Sequence, residues 1–286
     1  MSEPLLEFDD LVVEYPGRGW RAPPVRAVKG VSFDIRAGET VGLVGESGSG
    51  KTTIGRAALG LAPVSGGRIL YRGEDISHPS KSRRRELTRD LQVVYQDPYS
   101  SLNPTMTIGA SLVEPLTVRR TPRKQAAERV RELLDVVGLP ADAARRLPRE
   151  FSGGQRQRVA IARALALDPQ LIVCDEPVSA LDLSTQARVL ELFLDIQERT
   201  GVAYLFVSHD LAVVREMSHR VAVLWHGELV EWGDGDQVTS APEHPYTQRL
   251  LLASPVADPL LQEQRRADRL RLRDIQSEQD EQATYA

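Results

Sequence analysis

"TVGLVGESGSGKTT", residues 40–53, decides the fold. Its first part, Thr40–Val44, is a near-continuous apolar run of the kind buried on both faces of a parallel sheet. Its second part, "GESGSGKTT" (45–53), fits the pattern G-x-x-x-x-G-K-[ST], and the spacing predicts a helix from about Lys51. A bare glycine-rich turn that merely opens a helix is the bland alternative. The strand before it and the helix after it supply the context in which the pattern carries chemistry. Glycines let backbone N–H groups turn inward around phosphate oxygens. Gly45, Glu46, Ser47, Gly48, Ser49, Gly50, Lys51, Thr52 and Thr53 therefore make a candidate phosphate cradle. Lys51 can reach β- and γ-phosphates, and Thr52 offers a hydroxyl to Mg2+.

Three more short apolar runs share the character of 40–44: "LQVVY" (91–95), "LIVC" (171–174) and "AYLFV" (203–207). Helical patterns separate them, which predicts an α/β core with a parallel sheet. Each run ends in a polar or glycine-rich element: Gly45, Gln96, Asp175–Glu176 and Ser208–His209. In a parallel sheet the C-terminal strand ends lie on one edge, where ligands bind. Residues far apart in sequence are thus expected to converge. Asp175 is placed to hold Mg2+ through its water shell, as a Walker B aspartate does. Glu176, one residue on, can polarise an attacking water. Gln96 can contact the metal or that water, and His209 can hydrogen-bond a γ-phosphate. Cys174 reads as a small buried apolar residue.

Ahead of Thr40, "LLEFDDLVVEY" and "VRAVKGVSFDI" alternate in character and read as antiparallel strands, with a further hairpin at "GGRILYRGEDI" (66–76). A small antiparallel β subdomain beside the parallel core is expected. Residues 97–150 hold proline-rich turns and the amphipathic "RKQAAERVRELLDVVGL", with Val130, Leu133, Leu134 and Val137 near one helical face. A helical subdomain over about 97–160 is expected, within a folded unit spanning 1–257. The remainder, 258–286, is a charged tail that is either a peripheral helix or disordered.

Composition narrows the function classes. Hydrophobic residues are 41% of 286, so a sizeable core can be buried, and a formal net charge of −4 gives no global pull toward nucleic acid or acidic membrane. The basic run "KSRRRELTR" (81–89) lacks interleaved aromatics and reads as a solvated helix face. A single cysteine excludes an internal disulfide and points to a reducing compartment. No window approaches the roughly 18 apolar residues of a membrane span. "MSEPLLEFDD" lacks the basic and then apolar pattern of a secretory signal. A soluble, cytoplasmic chain is expected, with any membrane role arising through partners.

A second glycine motif, "FSGGQRQRVA" (151–160), places two adjacent glycines at a helix start. Glycines weaken that start. Ser152 is a natural N-cap, and the exposed N–H groups and helix dipole favour an anion. The order of phosphate loop, Gln96, "FSGGQ", "LIVCDE", "SALD" (179–182) and His209 resembles the nucleotide-binding domain of the ABC ATPases, over about residues 5–255. Phe151 stands where that family usually has Leu, and both are apolar. The resemblance implies a P-loop NTPase (RecA-like) core that takes ATP and Mg2+. It also implies a second ATPase subunit, identical or related, whose nucleotide meets Ser152, Gly153, Gly154 and Gln155 of this chain. Asp182 matches the family's interface aspartate. Tyr15 matches the aromatic that stacks on adenine, with Trp20 a nearby rival.

Two further stretches, "YQDPYSSLNPTMTIG" (95–109) and "APEHPYTQRLL" (241–251), look like the oligopeptide/dipeptide permease ATPases, a group that also imports nickel, glutathione and related solutes. That likeness implies an ATP-hydrolysing importer subunit at the cytoplasmic face of the membrane. Integral permease subunits and, indirectly, an extracytoplasmic solute-binding protein would be its partners, with no nucleic acid. Some relatives carry a cysteine cluster in the tail; this one has none there, so no iron–sulfur site is expected. The competing expectation is a soluble ABC ATPase acting on nucleic acid or ribosomes. Such proteins usually show a long coiled-coil insertion or two cassettes, and neither is visible here.

Overall fold

The computed structural model describes residues 3–17, 23–97 and 101–253. Trp20 and the tail 258–286 lie outside the described residues.

Two sheets organise the chain. The first is antiparallel, in the order β2-β1-β4-β5, from β1 (Leu6–Tyr15), β2 (Val25–Ile35), β4 (Gly66–Tyr71) and β5 (Glu74–Asp75). These are the alternating stretches and the hairpin expected from the sequence. The second has six strands in the order β10-β9-β3-β8-β7-β6. Its members are β3 (Thr40–Val44), β6 (Leu91–Val94), β7 (Leu171–Asp175), β8 (Ala203–Ser208), β9 (Arg220–Trp225) and β10 (Glu228–Asp234). Strands β6, β7, β8, β3 and β9 run parallel, and β10 returns antiparallel along β9.

The four apolar runs are all parallel strands, and their side chains split with a period of two. Ile172, Cys174, Tyr204 and Phe206 enter one hydrophobic cluster; Leu171, Val173, Leu205 and Val207 enter another on the opposite face. Both faces are covered, which is why the runs are continuous rather than alternating. On the first face pack α3 (Ile108–Val118), α4 (Arg123–Val136), α5 (Gly153–Ala164) and α6 (Leu183–Thr200). Phe193 of α6 meets Tyr204 and Phe206 edge-on, at centroid distances of 5.4 and 5.8 Å. Burying one such phenyl ring stabilises the fold by roughly 1.5–3 kcal/mol. On the other face lie α1 (Lys51–Ala58) and the antiparallel sheet. Val130, Leu133, Leu134 and Val137 are buried together, as their helical spacing predicts. The basic run forms α2 (Lys81–Asp90), in which Leu87 is the buried residue.

The hairpin β9–β10 adds a fifth parallel strand to the four runs read from sequence. It turns through His226 and Gly227, both in the left-handed region at φ 50° and 86°. It also ties the two sheets together. Arg220 makes ion pairs to Asp34 of β2 (2.8 Å) and to Glu39 (2.5 Å), and its guanidinium lies over the Trp232 ring at 4.6 Å. The Arg220 charge and hydrogen bonds hold the Asp34 carboxyl below its ordinary range.

Candidate nucleotide-binding site

The C-terminal ends of the parallel strands share one edge, and the phosphate loop, Gln96, Asp175, Glu176 and His209 follow the strands there. After β3 the chain enters the loop 45–50. Gly45, Gly48 and Gly50 all have positive φ, at 156°, 82° and 107°. A Cβ on Gly45 would run into the Leu224 carbonyl of β9, and one on Gly50 would stand 2.6 Å from the Ala27 carbonyl of β2. So these two glycines are required by close packing of the loop on both sheets as well as by backbone conformation.

Helix α1 begins at Lys51 with Gly50 as N-cap and no side chain capping its first turn. Its leading N–H groups are left for an anion. A cavity of about 150 Å3 opens in front of them, lined by Ala27, by Ser47, Gly48 and Gly50 of the loop, by the first residues of α1 (Lys51, Thr52 and Thr53) and by Glu176. Lys51 is 4% exposed, and its Nζ donates to the Gly45 and Glu46 carbonyls, each at 2.7 Å. Burial pushes its pKa down, against the pull of Glu176, Asp175 and Glu46. A cation held in this way gains strongly from an arriving anion.

Asp175, the last residue of β7, accepts a 2.9 Å hydrogen bond from the Thr52 hydroxyl. Burial, with the neighbouring Glu176 charge, raises the Asp175 pKa despite that bond and despite Arg56 and Lys51. One hydroxyl and one desolvated carboxylate, side by side next to a phosphate loop, suit a Mg2+ that keeps waters and phosphate oxygens as its other ligands. Among the described residues no group of three or more His, Cys, Asp or Glu could hold a metal by itself, so a metal here would rely on the phosphates.

Glu176 sits at φ 49°, in the left-handed region that disfavours side chains. Its N–H donates to Val207 of β8 and its carbonyl accepts from Ser179, which fixes the turn. Such backbone strain, on the order of 1–3 kcal/mol, persists when surroundings enforce it and clusters at functional sites. The Glu176 carboxylate is 3.2 Å from His209 Nδ1, the residue following β8. Gln96 is exposed and lies two residues past the Val94–Cys174 pair of β6 and β7, on the same edge. Tyr15 ends β1 paired with Val25, two residues from the Ala27 that lines the cavity, and packs partly buried on the core.

The second glycine motif stands elsewhere. Ser152 caps α5 in a reciprocal box: Gln155 N donates to Ser152 Oγ (3.3 Å), and Ser152 N donates to Gln155 Oε1 (3.0 Å). A Cβ on Gly154 would collide with the Thr185 methyl of α6, whereas one on Gly153 would meet Leu181 at an ordinary 3.6 Å. The "SGGQ" start and the "SALD" turn are therefore neighbours. Asp182 caps α6, accepting from Thr185 N (3.0 Å) and from Ser184 Oγ (2.7 Å), and these bonds hold its carboxyl far below the ordinary range. Neither Ser152, Gly153, Gly154, Gln155 nor Asp182 lines the cavity at the phosphate loop.

Two contacts behind the loop carry no motif in the sequence. Gly227 N donates to the Ser49 carbonyl (3.0 Å), and Glu46 N donates to the Tyr246 hydroxyl (2.9 Å). Tyr246 belongs to the 241–251 stretch, whose likeness to permease ATPases carries no expectation of this contact.

Comparison with known proteins gives the family. The ABC transporter family pattern matches residues 28–179, more than half of the chain. The chain belongs to the ABC transporter family. Among its relatives is the glutathione import ATP-binding protein GsiA of Escherichia coli (strain K12), 51% identical over 270 residues, covering 93% of this chain and 43% of GsiA. GsiA of Pectobacterium atrosepticum is 50% identical over 263 residues, covering 90% of this chain and 42% of that protein. The chain thus spans less than half the length of these relatives. Among solved structures, the ATP-binding cassette MJ0796, in a dimeric post-hydrolysis state bound to ADP and Pi, is 29% identical with a TM-score of 0.70, covering 80% of this chain and 98% of that one. CbiO1 of Clostridium perfringens, part of the ABC transporter complex cbiONQ, matches in fold with a TM-score of 0.74 over 87% of this chain and 96% of its own, at 24% identity. The α/β, P-loop NTPase class expected from the sequence is the class observed.

Proposed function

We propose that this chain is the ATP-hydrolysing subunit of an ABC importer for peptides or related small solutes such as glutathione or nickel. The observation that carries the reading is the convergence of Lys51, the Thr52–Asp175 pair and the Glu176–His209 pair on one sheet edge, around a cavity shaped by three positive-φ glycines. The 51% identity to a glutathione import ATP-binding protein favours import over action on nucleic acid or ribosomes.

In this reading the loop amides and Lys51 bind the β- and γ-phosphates, while Tyr15 stacks on the adenine. Thr52, Asp175 and Gln96 hold Mg2+, which when bound neutralises charge on the phosphate oxygens. Glu176 takes the role of general base toward the attacking water, and His209 holds both the Glu176 carboxylate and the γ-phosphate. The strained Glu176 backbone keeps that carboxylate aimed at the cavity without reorganisation during the reaction. Because the "SGGQ" helix start and Asp182 do not reach the chain's own cavity, they serve a second ATPase subunit, whose own helix serves this one. The cassette spans 1–257 with its helical subdomain at about 97–160, and the latter transmits motion to membrane permease subunits. The location is peripheral, on the cytoplasmic face, with an extracytoplasmic binding protein delivering the solute. Among the described residues no helix is long and apolar enough to cross a membrane, which is consistent with separate permease subunits.

The test is Glu176→Gln in the importer reconstituted with its membrane subunits. Steady-state ATPase is expected to fall by on the order of 10²–10⁴-fold with Mg-ATP affinity retained, the range for loss of a general base. Undiminished turnover would remove Glu176 from that role.

A further inference from the structure

We infer that Tyr246 is a positioning residue for nucleotide: its hydroxyl, reaching in from the helix that starts at Pro245, anchors the mouth of the phosphate loop. The inference rests on the reading of that loop as the nucleotide site.

Tyr246 lies in the helix Pro245–Ala253 and is 2% exposed. Its ring stacks on Trp225 at 5.4 Å with planes 26° apart, beside Val44, Val221 and Val223. A tyrosine this buried needs a partner for its hydroxyl. The partner is the backbone N–H of Glu46, 200 residues away in sequence and second in the phosphate loop. Other ties hold the helix start in place. The Glu231 carboxylate of β10 accepts the N–H groups of Glu243 (2.8 Å) and His244 (3.2 Å), and Tyr246 N donates to His244 Nδ1 (3.2 Å). The tyrosine is therefore presented from a fixed base.

The loop needs such an anchor. Its glycines make it costly to order, since each loses much backbone freedom on being fixed. The Glu46 carbonyl is held from within the loop, by Lys51 Nζ and by Ser49 N (3.2 Å). When Lys51 turns its ammonium to a phosphate, that internal hold weakens. The Tyr246 bond comes from outside the loop and does not depend on Lys51. It also takes the Glu46 N–H away from the cavity, so that the amides further along face the anion. Glu46 is not among the residues lining the cavity, in agreement with this division.

The experiment measures Mg-ATP affinity of the full chain by calorimetry, with nucleotide-free thermal midpoints in parallel. Tyr246→Phe keeps the ring stack and removes the anchor. Affinity is expected to fall about fivefold, the size of one neutral hydrogen bond, and in the reconstituted importer KM for ATP is expected to rise with kcat nearly unchanged. Tyr204→Phe is the control, because it removes a buried hydroxyl bonded to the Phe193 carbonyl (3.1 Å) far from the loop. If Tyr246→Phe binds like wild type, or if Tyr204→Phe weakens binding equally, the positioning role is overturned. Lys51→Ala separates the two levels. If it too leaves affinity intact, the loop is not the nucleotide site and the functional reading falls; if it abolishes binding while Tyr246→Phe does nothing, only the anchor falls.

Discussion

Helices α1 and α5 both start on glycine pairs or triplets, yet the two starts use glycine for opposite reasons. Ahead of α1, Gly48 and Gly50 occupy left-handed backbone, and no side chain caps the helix. Its amides are left facing a cavity that the same chain lines with Lys51 and Glu176. At α5 the glycines are ordinary helical residues, and the cap is already filled by Ser152 and Gln155. There Gly154 supplies only the missing side chain that lets α5 pack against Thr185. One start faces a cavity lined by its own chain. The other lines no part of that cavity, and under the proposed function it acts where a second subunit brings the anion.

The largest effects should separate those two roles. Lys51→Ala is expected to weaken Mg-ATP binding by the chain alone by on the order of 10²-fold or more, as for loss of a preorganised charged donor. Ser152→Ala is expected to leave that affinity unchanged and to lower ATPase only in the assembled importer. Titrating both variants as free chains and then as complexes is decisive. A free Ser152→Ala chain that binds nucleotide poorly would erase the distinction.

Stability sharpens the comparison at a smaller scale. Gly154→Ala places a methyl against Thr185, a stiff β-branched side chain, and is expected to cost about 1–3 kcal/mol. Gly153→Ala has room at 3.6 Å and should gain about 0.5 kcal/mol from helix propensity. Denaturant unfolding of the free chains reads both. If Gly153→Ala stabilises the chain yet depresses ATPase in the complex, the first glycine is kept small for a partner and the second for this chain's own packing.

These contrasts mark where the sequence was informative. The phosphate loop was legible because its chemistry is local: strand, glycines, lysine and threonine lie within fourteen residues. The shared edge was legible because continuous apolar runs imply a parallel sheet, and a parallel sheet puts Gln96, Asp175, Glu176 and His209 at one end. The β9–β10 hairpin was harder. Its turn relies on His226 in a conformation that glycine or asparagine would have announced. The packing of Gly154 on Thr185, the use of the Gln155 side chain in its own helix cap, and the bond from Glu46 to Tyr246 are tertiary facts. No spacing rule reaches them. The glycine pair in "FSGGQ" therefore looks, as a string, like one functional unit, when its two members meet different surroundings.

The smallest effect concerns Asp175 and has a sign that depends on pH. Burial raises its folded pKa above the ordinary 3.8, so between 3.8 and that raised value the folded chain holds a proton the unfolded chain has released. Stability falls as pH rises through this window, and the deficit then persists to neutral pH. Below the window both states are protonated and the deficit vanishes. Asp175→Asn keeps an oxygen for the Thr52 hydroxyl and carries no charge to desolvate. With metal chelated and no nucleotide present, the variant is expected to unfold at a higher temperature than wild type at pH 7, and at the same temperature near pH 3. Adding Mg-ATP should reverse the order at pH 7, because only the native carboxylate is stabilised by the metal. Thermal melts at the two pH values, with and without Mg-ATP, test this directly. A variant less stable than wild type at pH 7 without metal would mean that the Thr52–Asp175 pair holds the fold together. In that case the start of α1 would be built for structure first and for its ligand second.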